Sequence, residues 1–291
     1  MAFNTIKMII PCQCLLGEGP YFSRTYNCLF WVDILSNVLY RFDWTQQTVQ
    51  TFQMPEPICW LMETQDQQFI AGFESAIYYL DNQTLQRTSL HCQLNEPEGN
   101  RFNDAKADRN GNLFFGTMDK LEQQSSGSLY RLGNGNSLQK VDTNYVISNG
   151  PAISKNGRTL YSTESSSKTI YQFDLDERGR ITNKRVFVKF ENGMGYPDGM
   201  TVDSEDHLWV AAWDGFGVYR FTPLGEQIQF IELPVPRITS VTFVGESLEY
   251  LAVTSAKVGL DEDTLKKYEY SGSVFILKPN VHGVSETPVV I

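Results

Sequence analysis

The sequence predicts an all-β protein that forms one six-bladed β-propeller over residues 1–291, with four strands in each blade. Three observations support this fold class. A short apolar motif recurs six times, a second strand-like run follows each copy, and helical periodicity is nearly absent. A β-sandwich is the alternative architecture, but six matched copies favour the propeller.

The recurring motif is an apolar or aromatic run with a small residue near its fourth position. Its copies start 40, 44, 47, 48 and 43 residues apart. Strand-rich units of this length are typical of propeller blades. We expect the motif to form the inner strand, because blades crowd together near the axis. The copies are LFWVD (29–33), FIAGF (69–73), LFFGT (113–117), LYSTE (160–164), LWVAA (208–212) and LAVTS (251–255).

A second run follows each motif and has the β-branched and aromatic composition of a strand. These runs are LYRFD (39–43), IYYLD (77–81), LYRL (129–132), IYQFD (170–174), VYRF (218–221) and VFIL (274–277). The two starts are 8 to 10 residues apart in four blades, 16 in the third and 23 in the sixth. We expect the insertions at 118–127 and 256–272 to shape a mouth on one face, and only 261–270 resembles a helix.

Charge and hydropathy limit the functions that are open to the chain. A formal net charge of −10 argues against nucleic acid or an anionic membrane as partner. The sequence contains no run of eighteen apolar residues, so we expect no transmembrane helix. The N-terminus MAFNTIKMIIPCQC has one Lys and too short an apolar run for a signal peptide. We therefore expect a cytoplasmic protein, a monomer or a weak oligomer.

Cysteine and histidine usage indicates neither a disulfide framework nor a histidine-based hydrolase. The five cysteines include the C-x-C pair Cys12 and Cys14, which lacks a second pair for zinc, so we expect reduced thiols. The motifs G-x-S-x-G and H-E-x-x-H do not occur. We do not expect His91, His207 or His282 to be catalytic. Any hydrolysis must depend on a metal and carboxylates.

Polar residues recur at one relative position, ten to fifteen residues before the apolar motif. In a propeller, the loops that precede the innermost strands surround the central channel, so we expect these side chains to converge there. The residues are Glu18 in LLGEGP, Arg101, Asn103 and Asp104 in RFNDAK, Asn149 in ISNGPA, and Asp198 in YPDGM. Gly follows Glu18, Asn149 and Asp198 directly and permits tight backbone geometry beside a ligand.

Each of these residues also has a structural alternative. Asp198, between Pro197 and Gly199, has the composition of an ordinary turn. Glu18 could serve only as a cap or in a salt bridge, and Asn149 only as a turn former. Arg101 could pair with Glu96 or Glu98. The shared register of the four segments favours the channel, because independent turns have no reason to share a position.

Two carboxylates and an amide suit one divalent cation, such as Ca²⁺, Mg²⁺, Mn²⁺, Zn²⁺ or Fe²⁺. Three protein ligands with open positions are more typical of a catalytic metal than of a structural one. Without a cation, two carboxylates in a narrow channel would raise each other's pKa. Asp104 is expected to orient the loop or a ligand.

Four segments carry a resemblance to a known family: LGEGP (16–20), RFNDAKADRNGNLFFGTM (101–118), SNGPAISKNGRTLYST (148–163) and PDGMTVDSEDHLWVA (197–211). In these segments the chain resembles the senescence-marker-protein, gluconolactonase and luciferin-regenerating-enzyme family, also called the regucalcin family. The resemblance implies a six-bladed propeller with one divalent metal in its channel, and opening of sugar-acid lactones. It places the metal ligands on Glu18, Asn149 and Asp198 and the substrate contacts on Arg101 and Asn103.

The chain departs from the family pattern at two places. Ala105 stands where the family usually has Gly, which would shift that loop. After GTM the animal members carry acidic residues that help to hold substrate, whereas this chain has Asp119, Lys120, Leu121 and Glu122. We include Asp119 as a candidate substrate contact. These two departures bear on which substrate the protein would bind.

The predicted reaction is metal-assisted hydrolysis of an aldonolactone to its open aldonic acid. The cation would act as Lewis acid on the carbonyl, and a water activated by the metal or by Asp198 would attack. Arg101 and Asn103 would donate hydrogen bonds to ring hydroxyls or to the oxyanion. Two alternatives use the same scaffold: a non-catalytic calcium-binding regulatory propeller, and an ester or organophosphate hydrolase. Arg101 beside the metal favours an enzyme, since an ion buffer needs no guanidinium.

Overall fold

The structure is a computed structural model that describes residues 5–74 and 76–291. Within these residues the chain forms six antiparallel sheets of four strands each, and one short helix. This arrangement confirms the predicted six-bladed propeller. Residues 1–4, at the start of the segment predicted not to be a signal peptide, lie outside the described residues, as does Ser75.

Five blades each consist of four consecutive strands, and the sixth combines both ends of the chain. The strands are β1 (Ile6–Ile10); β2 (Gly17–Ser23), β3 (Cys28–Asp33), β4 (Val38–Asp43) and β5 (Thr48–Gln53); β6 (Trp60–Glu63), β7 (Phe69–Gly72), β8 (Ala76–Leu80) and β9 (Arg87–Gln93); β10 (Asn100–Ala107), β11 (Leu113–Asp119), β12 (Gly127–Gly133) and β13 (Ser137–Tyr145); β14 (Ser148–Ile153), β15 (Thr159–Glu164), β16 (Thr169–Leu175) and β17 (Ile181–Lys189); β18 (Tyr196–Val202), β19 (Leu208–Trp213), β20 (Gly217–Phe221) and β21 (Gln227–Glu232); and β22 (Ile238–Val244), β23 (Tyr250–Ser255) and β24 (Val274–Leu277). The N-terminal β1 pairs with β24 and completes the sixth blade.

The innermost strands are β2, β6, β10, β14, β18 and β22, because each contacts the innermost strand of the next blade around a closed ring. The expectation that the LFFGT-type motif forms the inner strand is therefore wrong. That motif forms the second strand of each blade: β3, β7, β11, β15, β19 and β23. Packing explains why the apolar motif lies on the second strand. The second strand is covered on both faces by neighbouring blades and so reads as nearly continuous apolar sequence.

The small residue of the motif is required where a side chain of its own blade or of the next blade packs on it. A Cβ added at Gly72 would lie 2.2 Å from the Trp60 ring, and one at Gly116 would lie 2.3 Å from the Ser148 hydroxyl. Trp60 stacks on Phe102 at 6.2 Å, between the second and third blades. Close packing of this kind leaves no space for a side chain at either glycine.

Both predicted insertions lie at the end of the propeller where the innermost strands begin. Asn100 at the start of β10 pairs with Asp119 at the end of β11, and Ile238 pairs with Ser255 in the same way. The connection after Ser255 carries α1 (Glu262–Lys267), which confirms the predicted helix. This end of the channel is called the mouth below.

The opposite end of the channel is covered by the C-terminal segment. Lys106 pairs with Glu286 at 2.8 Å, with both side chains nearly buried, and Arg109 donates to the Ser285 carbonyl. No helix in residues 5–74 and 76–291 is long and apolar enough to cross a bilayer.

Candidate functional site

The innermost strands share a break in register at one height in the channel. Five of the six carry a β-bulge or irregularity there: after Glu18 in β2, after Phe102 in β10, after Asn149 in β14, after Pro197 in β18 and after Ile238 in β22. A bulge inserts an unpaired residue and re-aims the neighbouring side chain. Repeated bulges therefore explain how polar side chains turn toward the axis from strands whose other positions are apolar.

The predicted site residues lie on these strands and not in the preceding loops, which corrects the expected placement. Glu18 is in β2, Arg101, Asn103 and Asp104 are in β10, Asn149 is in β14 and Asp198 is in β18. All are buried except Arg101, which is partly exposed. Gly199 allows the close approach of β22, since a Cβ there would lie 2.1 Å from the Ser240 hydroxyl.

Three carboxyl groups meet in the channel without enough positive charge to balance them. Burial, with a smaller contribution from the negative charge of Asp104, raises the pKa of Glu18 to about 8. The Gly19 amide and Arg101 act in the opposite direction and lower this pKa. Burial also raises the pKa of Asp198 well above its usual range, with further contributions from Glu18 and Asp104. The pKa of Asp104 rises to about 7 through burial, against the nearby Lys106.

Asp198 Oδ1 is buried and accepts no hydrogen bond from any described residue. Glu18 Oε2 accepts from the amide of its own neighbour, Gly19, at 3.0 Å. An unpartnered carboxylate oxygen in a buried site is costly unless something positive binds it. The donor chemistry therefore fits a hard divalent cation held by Glu18, Asp198 and the Asn149 amide oxygen.

The third predicted ligand, Asn149 in β14, would offer an amide oxygen. In the described part of the chain, no three His, Cys, Asp or Glu side chains come together as a group able to hold a metal ion. Asn149 instead lies between β10 and β18 and presents its Oδ1 to the Asn103 amide at 2.6 Å. An amide oxygen has two lone pairs, so one remains for a cation.

Arg101 does not pair with the acidic loop that precedes it. Its Nη1 donates to the Phe102 carbonyl and to Asn103 Oδ1, both at 2.7 Å. Glu96 instead accepts from Asn100 and Tyr130 and pairs with Lys140. The guanidinium is thus held inside the channel next to Asn103.

Two residues near the site were not predicted from the sequence. The Ser165 hydroxyl accepts from Asn149 Nδ2 at 2.9 Å and donates to the Pro197 carbonyl at 2.7 Å. Burial raises the pKa of the Cys59 thiol to about 12, with Arg101 acting in the opposite direction as a neighbour. A serine in the polar run TESSSK (163–168) and a cysteine in the apolar run ICWLM (58–62) carry no sequence signal of this kind. Only the end of the LYSTE run, one residue before Ser165, marks the place.

Asp119 lies at the mouth, at the end of β11. Its Oδ1 accepts from the Leu121 amide, and its Oδ2 accepts from the amides of Gln123 and Gln124 at 3.0 and 2.9 Å. Asp33 and Glu164 hold mouth segments in the same way from the ends of β3 and β15. Asp119 therefore fixes the 120–126 loop, and its contact with a substrate stays a prediction.

The histidines contact groups outside this site. His91 packs against Tyr79 on an outer strand, His207 lies 3.4 Å from Glu205, and His282 Nδ1 lies 2.8 Å from the Ser247 carbonyl. The five cysteines are free thiols, in agreement with the expectation from the sequence.

Comparisons with known proteins find relatives that cover nearly the whole chain. Residues 16–257 match the family described as SMP-30/Gluconolactonase/LRE-like region. The chain is 32% identical to 6-deoxy-6-sulfogluconolactonase of Pseudomonas putida, over 97% of this chain and 98% of the relative. It is 31% identical to human regucalcin, over 94% of each chain.

Solved structures show the same architecture over nearly the whole length. A calcium-binding protein, regucalcin, from Agrobacterium tumefaciens superposes with a TM-score of 0.93 at 27% identity, covering 98% of both chains. A luciferin-regenerating enzyme superposes with a TM-score of 0.90 at 27% identity, covering 98% of this chain and 99% of the other.

Proposed function

Because the chain belongs to the SMP-30/gluconolactonase/LRE-like family, we propose that it is a metal-dependent lactonase. Its substrate would be a sugar-acid lactone, and its product the open aldonic acid. A relative named 6-deoxy-6-sulfogluconolactonase supports a lactone as the substrate class. The relatives described as regucalcin, one of them a calcium-binding protein, support a divalent cation as cofactor.

The observation that carries the proposal is the buried Asp198 carboxylate with its unpartnered Oδ1 beside Glu18. Burial disfavours both charges, so the pair has a physical reason to bind a cation. On β10, Arg101 presents N–H donors that a simple ion site does not need, while both Nδ2 hydrogens of Asn103 bond the Ser148 carbonyl and Asn149 Oδ1. A cation, an acid–base carboxylate and two hydrogen-bond donors are the components that ester hydrolysis requires.

The residues divide the work as follows. Glu18, Asn149 and Asp198 would hold the cation, which when bound supplies Lewis acidity toward the lactone carbonyl. Asp198 takes a proton from the attacking water as general base. The water oxygen bonds to the carbonyl carbon, the ring C–O bond breaks, and the departing ring oxygen accepts a proton to become a hydroxyl. Arg101 donates hydrogen bonds to the sugar hydroxyls or to the developing oxyanion. Asn103 would donate in the same way by exchanging the bond of one Nδ2 hydrogen, which in the structure goes to the Ser148 carbonyl or to Asn149 Oδ1.

A pH-indicator assay tests the proposal directly. The protein would be stripped with a chelator and offered gluconolactone, galactonolactone, xylonolactone and arabinonolactone. Mg²⁺, Mn²⁺, Ca²⁺, Zn²⁺ or Fe²⁺ would then be added back singly. We expect acid release above the spontaneous rate only after a cation is added.

The two alternatives correspond to other outcomes of the same assay. Tight cation binding without turnover of any lactone or ester would indicate the non-catalytic calcium-binding propeller. Turnover of aryl esters or organophosphates without turnover of lactones would indicate the other hydrolase. The first alternative is supported by the regucalcin structure described as calcium-binding, and the Arg101 guanidinium held beside Asn103 argues against it.

Removing the cation should make stability fall as the pH rises. In the metal-free protein the pKa of Glu18 is about 8, above the usual 4.5. The native state therefore keeps a proton that the unfolded chain releases, and the stabilisation present below pH 4.5 is lost as the pH rises through 8. We expect the melting temperature of stripped protein to fall between pH 5 and pH 8, and a cation to restore it.

The same linkage predicts that cation binding releases protons near neutral pH. Calorimetric titrations in buffers with different ionisation enthalpies measure that release. Cation affinity should weaken as the pH falls from 8 to 6, because protons compete for Glu18 and Asp198. An affinity that does not change over this range would contradict the ligand assignment.

Substituting Asn103→Ala should lower kcat by roughly a hundredfold or more, the scale expected for loss of one oxyanion donor. The asparagine donates to Asn149 Oδ1 and accepts from Arg101, so its loss frees both neighbours. Steady-state kinetics on the best lactone measures the effect. Asn110→Ala, in an exposed turn after the same strand, is the matched control and should keep wild-type kcat.

A further inference from the structure

We propose that Ser165 is a positioning residue for the cation centre, which sets the orientation of the Asn149 amide and ties it to the strand that carries Asp198. The inference rests on the proposed cation site and extends it to a residue outside the ligand set. Ser165 is 5% exposed and follows Glu164, the last residue of β15. It lies behind the ligands and not in the channel-facing set on the innermost strands.

Ser165 forms the last link in a continuous hydrogen-bonded chain. Arg101 donates to Asn103 at 2.7 Å, and Asn103 donates to Asn149 Oδ1 at 2.6 Å. Asn149 Nδ2 then donates to the Ser165 hydroxyl at 2.9 Å, which donates to the Pro197 carbonyl at 2.7 Å. Every link points the same way. The chain runs from the proposed substrate donors, through one ligand, to the residue before Asp198.

The direction of these bonds decides which end of the Asn149 amide faces the ion. An asparagine side chain has nearly the same shape in its two flipped orientations, and its hydrogen-bond partners select one. The Ser165 hydroxyl is committed as donor to the Pro197 carbonyl, so toward Asn149 it can only accept. It therefore selects the NH₂ group, and Oδ1 is left for Asn103 and the cation.

Without the hydroxyl, only the Asn103 donor would still select the Asn149 oxygen, and an amide that flips would present NH₂ where a cation needs an oxygen. The Pro197 carbonyl would also lose its donor, and the start of β18 would lose its tie to β14. Partners of this kind, which orient a ligand without touching the metal, typically change metal affinity by about 10- to 100-fold when removed. The expected effect is on the ion and on Asp198 together.

Titration calorimetry of stripped protein with Mn²⁺ and with Ca²⁺ tests the inference without using activity. Ser165→Ala should weaken the affinity by about 10- to 100-fold. Ser165→Thr and Ser165→Val form a matched pair of equal shape, of which only threonine keeps the hydroxyl. Threonine should therefore bind at least tenfold more tightly than valine. Ser167→Ala is the control, because that hydroxyl hydrogen-bonds Glu164 and not the Asn149 amide.

The outcomes are distinguishable. Wild-type protein that binds neither ion would overturn the proposed cation site itself. Wild-type binding with Ser165→Ala within threefold would overturn the role of Ser165. If Ser165→Ala does not fold, the threonine and valine variants decide in its place, and equal affinities in that pair would overturn the inference. A weakened alanine or valine variant, with threonine and Ser167→Ala near wild type, supports it.

Discussion

Asp198→Asn is expected to lower kcat/KM on the best lactone by about 10³-fold or more, within the range attributed to a lost general base. The amide keeps the shape of the side chain but removes its charge and its ability to take a proton. Asp198 is buried, and its Oδ1 has no hydrogen-bond partner in the described chain. No structural role of this carboxylate offsets the free-energy cost of burying it. Its replacement should therefore lower the catalytic rate and the affinity for the cation.

The variant should fold. Replacing a buried carboxylate whose pKa is raised by burial and by Glu18 removes an unfavourable charge from the native state. Steady-state kinetics and a thermal melt, both with and without cation, measure the two effects separately. Asp263→Asn on the exposed helix α1 is the control. A folded Asp198→Asn enzyme with kcat/KM within threefold of wild type would rule out the proposed role.

Glu18→Gln is expected to separate stability from function. At pH 8 the stripped variant should be more stable than stripped wild type, because the wild-type carboxylate must ionise where burial opposes it. One pKa unit corresponds to about 1.4 kcal/mol, so the gain is on the order of 2–4 kcal/mol. For a chain of this size, that corresponds to a rise in melting temperature of roughly 5–10 °C.

The same variant should lose most of the stabilisation that a cation gives to wild type, together with its metal-dependent turnover. Thermal melts at pH 5 and pH 8, each with and without Ca²⁺ or Mn²⁺, give the four values needed. At pH 5 the stripped variant and stripped wild type should nearly coincide, since Glu18 then holds its proton. Glu262→Gln, exposed in the first turn of α1, is the control. A variant less stable than wild type at pH 8 would refute this account.

These two predictions describe a trade-off at the hub of the ring. The carboxylates that would bind the ion destabilise the metal-free protein, and bound cation would remove that cost by mass action. The hydrogen bonds from Asn103 and to Ser165 hold Asn149, the neutral residue of the proposed ligand set, without adding charge to the site. Metal-free protein should therefore be folded but less stable at alkaline pH.

The repeat pattern was sufficient to predict the architecture. Six apolar runs at nearly even spacing can be satisfied only by units that pack on one another, and this local periodicity is a property of the chain itself. A helix was predicted over 261–270, and the structure has α1 at Glu262–Lys267, where Asp261 accepts from the Thr264 amide as a local N-cap. The order of strands within a blade was predicted incorrectly. Apolar composition marks the most covered strand, and that strand is the second one.

The sequence by itself determined the ring of blades and the polar residues that approach its axis, because spacing and residue type are written along the chain. Tertiary structure alone decided how those residues are aimed. The bulges after Glu18 and Asn149 form only when innermost strands pair with their neighbours. The same holds for the bond from Arg101 to Asn103, the bonds from the loop amides to Asp119 and the bond from Ser165 to Pro197. The direction of each hydrogen bond depends on the three-dimensional position of its two residues, which their spacing along the chain does not record.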